Sequence, residues 1–192
     1  HTGSGFAAVR DSLVKPGILA DREAFEWLSR RKHYVNQVRP GRYRLTDGMS
    51  NNELVNLLRS GRQEPVRVAI RSIRTRGELA GLIGKHLETD SARLARLFDD
   101  PYSLSRYGTS PLDLFTLFIP DTYEFYWNTS ADQLMKRMTR ESGRFWTPLR
   151  RRQAGSLHLT IPQVVTLASI VEKESNKNDE KPVIAGVYLN RL

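Results

Sequence analysis

Apolar positions recur along the chain with two periods. From Asp21 to His33, "DREAFEWLSRRKH" sets Phe25 and Leu28 as an apolar pair with Trp27 beside them, which predicts a short helix. Tyr34, Val35 and Val38 then lead to a turn at Pro40-Gly41, and "RYRL" (42–45) alternates strictly, which predicts a strand. Ser50 with Glu53 has the spacing of a capping box, and the helix it opens turns Leu54, Val55, Leu57 and Leu58 inward before stopping at Ser60-Gly61. "PVRVAI" (65–70) alternates again and predicts a second strand. A helix followed by a strand–helix–strand run predicts a small α/β module over 1–70.

Beyond it the pattern is mostly helical. Thr75 with Glu78 opens a helix that buries Leu79, Leu82, Ile83 and Leu87, and "SARLARLFDD" predicts a further short helix. Residues 101–127 carry many aromatics without a helical or strand period, unusual for a plain connector of that length. Ser130 with Gln133 begins a helix expected to run to about Arg152, with Leu134, Met135 and Met138 on one side. Thr160 with Gln163 caps another helix, with Pro162 in its first turn, where proline is tolerated. Asp179 is placed to cap a last helix bearing Val183, Ile184, Val187 and Tyr188. The expected fold class is α+β: the 1–70 module, a helical connecting segment over 71–110, and a third segment over 111–192.

The composition, 39% hydrophobic and 27% charged over 192 residues, provides for a core and excludes a disordered tail. A net charge of +9 points to polyanionic partners or surfaces without choosing among them. With no cysteine, disulfide and thiolate–metal frameworks are excluded. The four histidines lack metal-ligand spacing, and there is no phosphate-binding loop, Gly-rich dinucleotide turn or nucleophile elbow around a serine. No cofactor is expected. No apolar run approaches the ~20 residues of a membrane span. Because the chain opens on "HTGSGF", without an initiator Met or signal peptide, it reads as a piece of a longer protein.

The closing stretch "TLASIVEKESNKNDEKPVIAGVYLNRL" (166–192) holds the best candidate chemistry. On a helical wheel Val164, Leu167, Ala168 and Val171 centre the apolar face, and Glu172 and Glu174 fall on opposite flanks. Leu167, Ile170 and Val171 lie beneath Glu174, the bulkier setting. A carboxyl desolvated in that way keeps its proton to higher pH, as a general acid must. Periodicity alone leaves a second reading open, in which both are ordinary charges near a helix end.

Three motifs in this order, "RPGRYRLTDGMSNNELVNLLRSGR", "FIPDTYEF" and "LASIVEKES" followed by Glu180 and "IAGVYLNRL", resemble the MltG (YceG-like) endolytic murein transglycosylases. The resemblance covers almost the whole chain and is weakest over 71–110. It implies that 1–70 is a LysM-like module lacking its first strand and that 111–192 is the N-terminal part of a catalytic lobe. It also implies an inner-membrane protein with one N-terminal helix, absent from this chain, and its catalytic part on the periplasmic side. The implied reaction cleaves the β-1,4 bond between N-acetylmuramic acid and N-acetylglucosamine in nascent peptidoglycan. The muramic C6 hydroxyl attacks its own C1 and leaves a 1,6-anhydro end. Because the substrate supplies the nucleophile, one carboxyl can suffice where hydrolytic glycosidases use two.

The family's catalytic glutamate falls on Glu174. Ser175 resembles the serine of the Glu-Ser pair in other lytic transglycosylases, and Glu180, Tyr188 and Asn190 match positions around the site. Asp121 and Tyr123, within "PDTY", are expected to line the cleft or to form a rigid packed turn. Glycan strands are the implied partner, with peptidoglycan synthases as further candidates. The family continues past "NRL", so this piece is expected to be inactive alone. Two other readings compete: a non-catalytic peptidoglycan-binding module, and a nucleic-acid binder, for which charge is the sole support.

Overall fold

The computed structural model describes residues 1–14, 18–19 and 21–191, so the final leucine of the "NRL" motif lies outside the described residues. In chain order the elements are α1 (Phe6–Val14), α2 (Arg22–Arg31), α3 (Asn51–Ser60), β1 (Val66–Ile70), α4 (Arg76–His86), α5 (Ser91–Asp99), α6 (Pro101–Ser105), β2 (Asp121–Phe125), α7 (Ala131–Phe145), α8 (Pro148–Ser156), α9 (Ile161–Glu174) and α10 (Lys181–Leu189). The fold is therefore α+β, dominated by helices, with β1 paired to β2 in a two-stranded sheet among the described residues. The chain divides into two compact units. One comprises 1–69, 73–94 and 122–131, the other 70–72, 95–121 and 132–192.

In the first unit, sequence signals and structure agree on α2 and α3, while α1 is not among the predicted elements. Asp21 caps α2 by accepting the Ala24 N–H at 2.9 Å. Ser50 and Glu53 form the full capping box of α3, and Gly61 closes that helix in the left-handed conformation at φ 69°. Phe25, Tyr34, Leu54, Val55 and Leu58 build the core between α2 and α3, and Phe6 stacks on Phe25 with ring centroids 5.9 Å apart. Trp27 instead faces solvent.

Both predicted strands alternate in burial, yet only one is a strand. β1 buries Val66, Val68 and Ile70 and exposes the residues between. The expected strand at 42–45 does not form. Tyr43 and Leu45 do pack against the α2–α3 core. The backbone of this stretch is met at Arg42, whose carbonyl accepts from the Glu64 N–H at 2.8 Å, and no ladder follows. Alternation reports a buried face; it does not supply a hydrogen-bonding neighbour. β1 finds that neighbour in β2, inside the stretch without periodicity, which also folds as α6 and a 3₁₀ turn at Leu114–Thr116.

In the second unit, the helix expected from Ser130 to about Arg152 is two helices. Pro148 has no N–H to donate, and Thr147 takes extended backbone and accepts the Arg150 N–H at 3.3 Å, starting α8 afresh. Leu134, Met135 and Met138 are the buried stripe of α7, as the periodicity predicts. Ser142 donates to the Thr116 carbonyl at 2.9 Å and ties α7 to the 3₁₀ turn. The N-cap position of α10 is Glu180 rather than Asp179, with no side-chain cap bond.

Candidate functional site

α9 positions the candidate acid. Its N-terminus carries the full capping box: Thr160 accepts from the Gln163 N–H, and the Gln163 side chain accepts from the Thr160 N–H at 2.8 Å. α9 packs against α8, α10 and the 3₁₀ turn at Leu114–Thr116. Val171 is its one buried side chain, while Val164 and Leu167 are half-buried and Ala168 is exposed. Glu174 is the last helical residue. Ser175 leaves the helix with extended backbone, its N–H still donating to the Val171 carbonyl at 3.3 Å.

The wheel's expectation of a desolvated Glu174 is not met: the side chain is exposed, and Ile170 beneath it is 37% exposed. Residues on the flank of a single helix are covered only if another element lies over them, and α10 packs on α9 with Val171 buried and the Glu174 side chain left exposed. What distinguishes Glu174 is its hydrogen bonding. Tyr188 of α10 donates its hydroxyl to Glu174 Oε1 at 3.2 Å, while Oε2 has no protein partner among the described residues. Sharing of the phenolic proton with this carboxylate pushes the Tyr188 hydroxyl above its ordinary pKa.

Glu180 is engaged at both oxygens. Ser175 Oγ donates to Oε2 at 2.7 Å, and Lys177 Nζ approaches Oε1 at 3.0 Å. The Lys177 N–H donates to Ser175 Oγ at 3.0 Å and so orients the serine. The Ser175 hydrogen bond, then Lys177, holds the Glu180 carboxyl below the usual carboxylate range. Glu180 is thus a fixed anion, while Glu174 keeps an open oxygen. Glu172 and Lys173 are exposed.

The remaining candidates are not members of these two pairs. Asn190 is exposed at the C-cap of α10, where its backbone N–H donates to the Gly186 carbonyl at 3.0 Å. Asp121 is exposed at the start of β2. Tyr123 is buried within β2, a strand and not a turn, with its ring 6.3 Å from that of Phe125. The Tyr188–Glu174 contact carries no sequence signal, because fourteen positions separate the partners on two different helices. Among the described residues no cluster of three His, Asp or Glu side chains could hold a metal ion.

The first unit carries a separate open groove of about 570 Å³ bordered by Arg44, Asp47, Glu53, Asn56 and Arg62. Arg44 pairs with Glu64 at 2.5 Å.

The family model described as the YceG-like family matches residues 1–192. An endolytic murein transglycosylase from Streptococcus pneumoniae serotype 2 is 27% identical over 217 residues, which cover 99% of this chain and 39% of that protein. The protein of the same name from a second Streptococcus pneumoniae strain is 26% identical over 221 residues, with the same two coverages. The chain therefore spans about two fifths of the length of these relatives. A crystal structure of a YceG-like protein from Listeria monocytogenes superposes with a TM-score of 0.58 at 21% identity, covering 98% of this chain and 67% of that one. At that identity the superposition speaks for the fold.

Proposed function

This chain belongs to the YceG-like family, and from that premise we propose that it is a piece of an endolytic lytic transglycosylase whose general acid and base is Glu174. The relatives that bear the name endolytic murein transglycosylase support the reaction class. The observation that carries the assignment is the contrast between two carboxyls. Glu174 is held at one oxygen and open at the other, whereas Glu180 is engaged at both and kept as an anion.

In this reading protonated Glu174 gives its proton to the glycosidic oxygen between N-acetylmuramic acid and N-acetylglucosamine. The C1–O4 bond breaks, and the N-acetylglucosamine hydroxyl leaves. The Glu174 carboxylate then takes the proton of the muramic C6 hydroxyl as that oxygen bonds to C1. The proton count closes, no water is consumed, and the product ends in 1,6-anhydromuramic acid. One carboxyl thus serves both steps, in contrast to the paired carboxylates of hydrolytic glycosidases. The fixed negative charge of Glu180 suits electrostatic stabilisation of a cationic sugar and not proton donation.

The reading extends to three features of the whole protein: a catalytic part outside the cytoplasmic membrane, anchoring by an N-terminal helix, and peptidoglycan synthases as neighbours. No single helix among the described residues is long and apolar enough to cross a membrane. We also propose that the 192-residue piece is inactive alone. α10 has no buried side chain, and Val183 and Val187 are 69% and 46% exposed. An apolar helix left open in this way supports a site that needs more chain to enclose a sugar.

The test is Glu174→Gln in the full-length protein, with 1,6-anhydro-ended fragments released from glycan strands measured by chromatography and mass. We expect release to fall at least about a thousandfold, the scale for a group that carries both proton transfers. Release at the wild-type rate would sink the assignment. A second reading, a peptidoglycan-binding module at the LysM-like residues 1–70, is favoured by the groove beside Arg44 and Arg62. It predicts glycan binding that survives Glu174→Gln and weakens in Arg62→Ala.

A further inference from the structure

We infer that Tyr188 is a positioning residue for Glu174: its hydroxyl holds Oε1 so that Oε2 is the oxygen presented to the glycosidic bond. The inference rests on the reading of Glu174 as the acid. A glutamate at an exposed helix end has three freely turning side-chain bonds and points productively only part of the time. Productive orientation is a large component of what a site contributes to rate. Among the described residues, Tyr188 is the group that donates to Glu174.

Tyr188 is equipped for this role. Its ring is half-buried on α10, which packs against α9, so the hydroxyl is delivered by a stiff side chain from a neighbouring helix. The nearby alternatives are occupied: Ser175 and Lys177 both point to Glu180. The two networks therefore divide the hairpin, one pair fixing an anion and the other orienting an acid. Two roles open to a tyrosine beside a reacting sugar differ in what they affect. A stacking platform uses the ring face and acts on substrate affinity, whereas a positioning hydroxyl acts on turnover.

The experiment is Tyr188→Phe in the full-length protein, which keeps the ring and removes the hydroxyl. Anhydro-end release is followed against glycan concentration, alone and combined with Glu174→Gln. Expected are a fall of about tenfold in kcat with KM unchanged, an unchanged Tm, and no further loss when Tyr188→Phe is added to Glu174→Gln. Unchanged kcat, or a raised KM at constant kcat, overturns the positioning role. So does an equal additional loss in the Glu174→Gln background. If Glu174→Gln itself retains full activity, the acid assignment fails first, and the inference falls with it. If Glu174→Gln is dead and Tyr188→Phe is wild-type, the inference alone fails.

Discussion

Val171 and Val183 allow the packing around the candidate acid to be measured with one chemical change made twice. Both are valines within helices, and Val→Ala deletes the same two methyl groups from each. Val171, in α9, is 7% exposed, while Val183, in α10, is 69% exposed. Two methyls fully withdrawn from water are worth about 1.6 kcal/mol at ~0.8 kcal/mol each. Scaled by burial, Val171→Ala loses about 1.5 kcal/mol and Val183→Ala about 0.5 kcal/mol. Alanine's better helix propensity, a few tenths of a kcal/mol, offsets both losses equally and cancels in the comparison. A residual cavity adds to the cost at Val171, where neighbours surround the site, and not at Val183, where solvent fills the gap. The expected difference is thus at least about 1 kcal/mol, or roughly 2–4 °C in Tm for a chain of this size. Urea unfolding of the 192-residue chain followed by far-ultraviolet circular dichroism, with equal m-values required, measures it. Equal losses, or a larger loss for Val183→Ala, would refute the account of α9 as anchored through Val171 with α10 left open.

Two further predictions concern titration. Glu180 has a carboxyl held below its ordinary range, so its stabilising contribution is present above the unfolded pKa of about 4.3 and is lost as pH falls through the folded value. Glu180→Gln should therefore flatten the dependence of stability on pH below about 4.5, measured by urea midpoints across that range; an unaltered acid limb counts against the Ser175–Lys177–Glu180 network. Tyr34 is fully buried, its hydroxyl has no hydrogen-bond partner among the described residues, and burial pushes its pKa up to about 12. The folded protein should consequently lose stability as pH rises from about 10, where the unfolded phenol ionises, to about 12, and Tyr34→Phe should reduce that loss, with the raised Tyr43, Tyr107 and Tyr188 hydroxyls supplying the remainder, at a cost below about 0.5 kcal/mol at neutral pH.

Local signals in this sequence are legible where the physics is local. Capping boxes at Ser50–Glu53 and Thr160–Gln163 form as read, because a side chain three residues from a free N–H meets it in any helix start. The α7 stripe of Leu134, Met135 and Met138 and the alternation of β1 likewise follow from periods of 3.6 and 2 that a short window contains. Glu174 could be named from the sequence as a candidate acid by motif, while the desolvation read from the wheel does not hold.

Three features were decided by tertiary structure. Residues 42–45 alternate like a strand and are not one, since a strand exists only with a neighbour and β1 pairs with β2 instead. Glu174 lies over an apolar flank on the wheel yet is exposed, because desolvation depends on what covers a helix and not on its own side chains. The difference between the two carboxyls comes from a hairpin that brings Tyr188 to Glu174 and commits Ser175 and Lys177 to Glu180. By itself the sequence determined which residues could be acids; folding determined how the Glu174 and Glu180 carboxyls are hydrogen-bonded, because hydrogen-bond occupancy is a property of neighbours in space.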